Sequence, residues 1–376
     1  MKNTIVFLII YLCIACWNNL FAQQRYDYLN TWSPMISERG KELYIRLENY
    51  NFFENFEYES PNVKGYSLIG TWLRPVGEYY INNKLRIQIG LNLLKYYGRD
   101  KFDDISEWIS IVYQPNNHIQ ILFGNLNNSS NFGLPAPLYD PSRFATNPDN
   151  KGLQFKVDYP WLNAQAWLEW EQFIRRNDDF QEIFTGGING GFYFIDTSKV
   201  FSISLPISFL ARHHGGEIDI SEQKIETIIN MSVGLKFSYN YNRWKFSITP
   251  QFLYFNEITK NYRQPITKGN AFYIQTDISY RQLFFGLDYW ISENFFAPLG
   301  DPVFQSYSHY SPENVYKNNN LVNLHACWVH KILNSADLII GGNFIYDVER
   351  NHFNYIAGIK FVLKPEFFCY KFKYRD

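Results

Sequence analysis

The chain has 376 residues, with 35 Lys and Arg against 36 Asp and Glu and a formal charge of -1; this balance excludes a nucleic-acid role, which needs clustered basic surface. Hydrophobic residues make up 46% and aromatics 19%, with 29 Tyr, 33 Phe and 10 Trp. That is more ring than a soluble core needs and suits a boundary between apolar and wet phases. No run beyond the N-terminus reaches the roughly 20 apolar residues of a membrane-spanning helix, so a helical membrane protein is excluded.

In chain order, Lys2, the apolar residues 5–15 and Leu20-Phe21-Ala22 ahead of Gln23 read as a signal peptide cleaved after Ala22. A lipoprotein acylated on Cys16 is the alternative. Residues 1–22 are then the signal peptide, 23–42 a periplasmic N-terminal segment and 43–376 the folded domain. Cys327 and Cys369 remain; they allow one disulfide at most and read better as small hydrophobes on strands.

From Leu43 onward the pattern has a period of two. Leu85, Ile87, Ile89 and Leu91 alternate with Arg86, Gln88, Gly90 and Asn92; Phe201, Ile203, Leu205 and Ile207 alternate with Ser202, Ser204, Pro206 and Ser208. Such segments are strands with one greasy and one wet face. About sixteen of them follow one another, and their connections alternate in length. The short ones are 81–84, 114–117, 158–161, 196–199, 240–243, 280–281 and 334–336. The long ones are 99–106, 125–151, 175–181, 213–225, 256–269, 292–320 and 348–352. Segregated loop lengths and about 20 residues per strand and connection predict an all-β fold: a closed antiparallel transmembrane β-barrel of about 16 strands (14–18), with short periplasmic turns and long extracellular loops.

Parity then sorts the faces. Ile87, Ile89, Phe155, Val157, Leu168, Trp170, Ile248, Leu324 and Ile359 point outward. The pore-lining candidates are Arg46, Glu48, Arg86, Lys156, Asp158, Glu169, Glu171, Lys236, Lys245, Asp277, Asp288 and Lys360. They balance at six basic and six acidic, which implies a polar, nearly neutral interior and weak ion selectivity.

One internal echo stands out. Ala136-Pro137-Leu138-Tyr139-Asp140-Pro141 in one long loop matches Ala297-Pro298-Leu299-Gly300-Asp301-Pro302 in another, each after an Asn-Phe pair. Proline rings stiffen both loops. Leaving opposite walls, they could fold inward and narrow the lumen, with Pro137, Tyr139, Asp140, Arg143, Pro298 and Asp301 as constriction candidates; chance recurrence of Asx-Pro turns is the competing account. His213-His214-Gly215-Gly216-Glu217-Ile218-Asp219 lacks rigid metal-ligand spacing and reads as a solvated loop. Glu169 and Glu171 share a strand face, but a salt-bridge ladder with Lys156 suits them better than paired-carboxylate catalysis. No catalytic motif, metal site or cofactor fingerprint is found.

This strand rhythm, aromatic content and leader resemble the porin-like outer-membrane barrels of Gram-negative envelopes. The resemblance implies export to the cell outer membrane, contact with its lipid, and a homo-oligomer. The function expected is a channel for passive diffusion of small polar solutes, without cofactor and without enzymatic activity. Two rivals stand beside it. One is a structural barrel presenting Phe295, Phe296, Tyr307, Tyr310 and Tyr316 to glycans or a partner; the other is a barrel enzyme acting on lipid or envelope polymer.

Overall fold

The computed structural model describes residues 32–195, 200–259, 263–308 and 314–373; the expected signal peptide and Cys16 lie outside them. The strands are β1 (Glu42–Glu57), β2 (Tyr66–Tyr80), β3 (Leu85–Tyr96), β4 (Asp104–Asn116), β5 (Ile119–Asn125), β6 (Lys151–Tyr159), β7 (Leu162–Gln172), β8 (Glu182–Ile195) and β9 (Phe201–Gly215). They continue with β10 (Glu226–Gly234, resuming at Lys236–Tyr241), β11 (Trp244–Glu257), β12 (Lys268–Tyr280), β13 (Leu283–Glu293), β14 (Asn318–Leu333), β15 (Ala336–Asp347) and β16 (His352–Leu363, resuming at Glu366–Lys371).

Each strand pairs antiparallel with the next, and β16 returns to β1, from Glu57↔Tyr355 down to Glu42↔Lys371. The result is a closed sixteen-stranded barrel. Pro365 has no N–H to offer the ladder, so β16 breaks there and resumes; its carbonyl still accepts from the Leu47 N–H (3.0 Å). The segment Glu366–Lys371, with Phe367, Phe368 and Tyr370, is thus the short-turn end of the closing strand. Closure pairs the first strand with the last, so no edge strand remains among the described residues, as a bilayer requires.

The outer wall is apolar. Ile89, Phe123, Phe155, Ile188, Phe252, Leu287, Leu324 and Ile359 are all exposed on it, while the residues between them in sequence point inward. In water such a belt would cost about 25 cal/mol per Å² of apolar surface; lipid removes that cost. Cys327 and Cys369 are both free thiols, one buried and one exposed.

The buried core lies inside the barrel. Trp167, Leu253, Phe255, Tyr273, Trp290 and Leu321 on the inner wall pack against Phe132, Leu138, Tyr139, Phe295, Phe296, Leu299 and Phe304, which come from two loops. Lower down, Tyr50, Phe52, Trp72 and Leu94 pack against Phe144 and Ala145. At the periplasmic end the expected N-terminal segment enters the interior: Arg86 donates to the carbonyls of Ser33 (2.9 Å) and Pro34 (3.1 Å).

Candidate functional site

Loop 126–150 leaves the short strand β5, whose seven residues leave the wall low at that point. Its inward turn is made by three successive left-handed residues, Asn131 (φ 57°), Phe132 (φ 53°) and Gly133 (φ 73°). That conformation is strained for a phenylalanine. Phe132 is held in it by stacking flat on Trp167 (4.4 Å between centroids) and by its carbonyl, which accepts from Asn189 Nδ2 (3.0 Å) and Gln165 Nε2. Loop 294–317 turns in through left-handed Asn294 (φ 52°).

The two echoed segments meet in the lumen. The Asp140 N–H donates to the Leu299 carbonyl (2.7 Å) and the Asp301 N–H donates to the Ala136 carbonyl (3.0 Å). Gly300 permits this approach: a Cβ there would stand 2.0 Å from the Pro137 carbonyl oxygen. Both aspartates close Asx turns over their prolines. Asp140 accepts from Ser142 N–H (2.8 Å) and Oγ–H (2.6 Å), and Asp301 accepts from Val303 N–H (3.1 Å). A third inward connection, 58–65, was not anticipated; Asn62 donates to the carbonyls of Pro302 (3.3 Å) and Gln305 (3.2 Å).

Asp140 and Asp301 line two cavities together. One, of about 60 Å³, also touches Glu54, Ser142, His325, Asn343 and Lys360; it has room for a few waters. The other, of about 280 Å³, lies under Phe56, Tyr58, Val63, Tyr66, Thr146 and Pro302. Burial raises both carboxyls, and the charge of Asp140 helps push Asp301 up to about 8. The closed loops therefore hold a proton that a water-exposed Asp would lose near pH 4. Closure is fully favoured below that value, weakens as pH climbs, and stops weakening above about 8. Residual ion current through the wild-type barrel is expected to rise between pH 5 and 8 and then level off, and Asp301→Asn to flatten the curve. A wild-type current independent of pH over that window would sink this account.

The structure separates the pore-lining candidates. Arg46, Glu48, Arg86, Glu169 and Asp288 are buried inside the barrel. Lys156, Glu171, Lys236, Lys245, Asp277 and Lys360 are half-buried, and Asp158 is exposed at the turn end. The expected Lys156 ladder is corrected by the register, which sets Gln165 opposite Lys156 and Gly152 opposite Glu169. Glu169 instead accepts from Asn150 of loop 126–150 (2.6 Å), and Glu171 pairs with Arg212 (2.8 Å). Lys360 pairs with Glu54 (2.6 Å). Among the constriction candidates, Arg143 lies over the Tyr139 ring (5.4 Å), and Pro137 and Pro298 flank the loop contact. Phe295, Phe296 and Tyr307 are buried in the plug, which corrects their display to a partner; Tyr310 lies outside the described residues.

His213 and His214 are corrected from loop to strand: β9 runs through them to Gly215. They face opposite sides. His214 joins Arg263 in the interior, whereas His213 Nδ1 lies 2.8 Å from Thr227 Oγ1 on the outer wall. Sequence reading missed this pair because its members are 14 residues apart and meet only through the β9–β10 register.

A family model of the lipid A 3'-O-deacylase type matches residues 35–372, nearly the whole barrel. The chain belongs to the lipid A 3'-O-deacylase-type family. That membership overturns the expectation of a barrel without enzymatic activity, for which the absence of a local motif was the ground. No curated protein sequence matches the chain. Among solved structures, a loop-deletion mutant of OmpT, an outer membrane protein of Vibrio cholerae, superposes with a TM-score of 0.53 at 12% identity, covering 85% of this chain and 99% of that one. A BenF-like porin from Pseudomonas fluorescens Pf-5 gives 0.51 at 9% identity over 87% and 100%. At these identities the likeness is one of fold, and the fold is that of outer-membrane β-barrels. The chain has the closed antiparallel architecture of those barrels.

Proposed function

We propose that this protein hydrolyses the ester bond joining an acyl chain to the 3' oxygen of lipid A in the outer leaflet. The observation that carries the reading is the family match across 35–372. The filled interior supports it: among the described residues Phe132, Leu138, Phe295 and Phe304 pack across the lumen, which leaves the lipid-facing wall and the outer rim as the surfaces for work. Passive diffusion of small polar solutes has correspondingly less support.

Purified protein mixed in detergent with lipid A carrying a 3'-O-acyl group should release one free fatty acid per lipid and leave a free hydroxyl, seen by mass spectrometry as loss of that acyl mass. Lipid A recovered with all its ester-linked chains intact, from protein whose heat-shifted gel mobility shows a folded barrel, would refute the reading.

A further inference from the structure

The two cavities beside the echoed loops adjoin, since Phe56, Asp140 and Asp301 line both. The larger, of about 280 Å³, is edged by Tyr66 and Thr146, which are exposed, and is covered by Tyr58 and Val63 of connection 58–65. It passes into the smaller one at the aspartates. There Cys327, Gly341, Gly358 and Glu54 align across β14, β15, β16 and β1, and the small side chains hollow the wall. One row lower, Val329, Ile339 and Phe52 are packed in the buried cluster. A space open above and shut below holds a solute rather than passing one.

The lining says what kind. One wall is aromatic: Phe56 stacks flat on Tyr66 (4.4 Å between centroids), and the Tyr58 ring lies 6.4 Å from that of Phe56. The inner end is acidic, and no Lys, Arg or His lines the larger cavity among the described residues. The nearby cations are engaged: Lys360 pairs with Glu54 (2.6 Å), and Arg143 lies over the Tyr139 ring. Asp140 accepts through both oxygens from Ser142. Asp301, only 7% exposed, accepts through Oδ1 alone, from the Val303 N–H; among the described residues no hydrogen bond reaches its Oδ2. A buried carboxyl oxygen without a donor carries a desolvation cost that a proton or a cation relieves.

We propose that this pocket binds a small organic ammonium ion, with its charge at Asp140 and Asp301 and its apolar body against Phe56, Tyr58 and Tyr66. The ammonium N–H groups supply the donor that Asp301 Oδ2 lacks. Ring faces favour an ion that carries its own hydrocarbon over a strongly hydrated inorganic one. The ion takes the place of the proton that the closed loops hold, so affinity rises between pH 5 and 8 and levels off above. Arg143 on the same loop, Glu54 and Lys360 below, His325 on β14, and Tyr58 and Tyr66 across the cavity are the charged and titratable groups that set this exchange. The site is separate from ester hydrolysis, and neither reading needs the other.

The test titrates 2-phenylethylammonium into the full barrel in detergent by calorimetry, with folding followed by heat-shifted mobility. Uncharged 2-phenylethanol and anionic 3-phenylpropionate are titrated beside it. In Asp301→Asn the amide oxygen still accepts from the Val303 N–H, so the turn is kept while the charge is lost. Thr146→Trp fills the mouth and leaves both carboxyls in place. Wild type should bind one ion per barrel, more tightly than either control, and release about one proton per ion at pH 6. Affinity should fall about 10-fold or more in Asp301→Asn, and binding should be lost in Thr146→Trp. Folded wild type that takes up no 2-phenylethylammonium, or takes up 2-phenylethanol equally well, overturns the proposal. So does undiminished binding in either folded variant, which would place the ion in the micelle or elsewhere on the barrel.

Discussion

Deleting residues 134–143 should convert a nearly closed barrel into a conducting one. The segment contributes Leu134, Ala136, Leu138 and Tyr139 to the buried luminal core and makes both backbone hydrogen bonds to the second echoed loop. Without it, Asp301 and Gly300 have nothing to close against, and the interior between β5 and β13 fills with water. The wall should survive. β5 and β6 are paired from Ile119↔Val157 to Asn125↔Lys151, so what remains of the loop, 126–133 joined to 144–150, need only span a ladder pair about 5 Å wide, and surface connections tolerate shortening far better than strands do. Single-channel recording in planar bilayers should show conductance and the size limit for sugars both rising severalfold. Unchanged conductance, from protein whose gel mobility still reports a closed barrel, would mean that the second loop and the 58–65 connection seal the lumen unaided.

The barrel was legible because its determinants are local and periodic. Alternation in β3 and β9 fixes which face each residue takes, and the contrast of short turns with long loops fixes the ends. Parity places Arg46, Glu48, Arg86, Glu169 and Asp288 where they are buried inside the barrel, but it left part of β2 unread. Arg74 and Glu78 sit on the same inward register of β2 as Trp72 and Val76, all buried, and the rule that placed Arg86 could have placed them. The echoed loops were legible as a pair from their prolines and aspartates. Their content was not: Phe295 and Phe296 read as display aromatics because no local pattern distinguishes a loop ring aimed into the lumen from one aimed at solvent. The His213–Thr227 contact was out of reach for a different reason. It exists only through the pairing of β9 with β10, and a strand register is set by all sixteen strands closing together.

Removing one carboxylate from the inner wall should cost more than any loss on the outside. Glu48 is 1% exposed and bonded to Arg46 (2.8 Å) and Arg74 (2.9 Å); Arg46 reaches on to Glu78 (3.0 Å), and Arg74 to Asp149 (3.4 Å) while lying over Trp108 (3.7 Å). With Arg86 beside Glu78 (3.6 Å), three cations face three anions in a region the solvent does not reach. Glu48→Ala leaves three guanidinium groups with two carboxylates, and an uncompensated buried charge costs about 3–5 kcal/mol. The double variant Glu48→Leu/Arg74→Met removes one cation with one anion, leaves Arg46 and Arg86 on Glu78 and Asp149 with its hydrogen bond from Ser106, and adds apolar contact against Trp72 and Trp108. It should therefore be the more stable of the two, with a coupling between the sites of about 2 kcal/mol or more, since paired deletion of buried charges is often close to neutral. Reversible urea unfolding in lipid, followed by tryptophan fluorescence, measures both. A single variant within about 1 kcal/mol of wild type would show that water screens the cluster after all, and the interior at this level would then be wet enough to conduct.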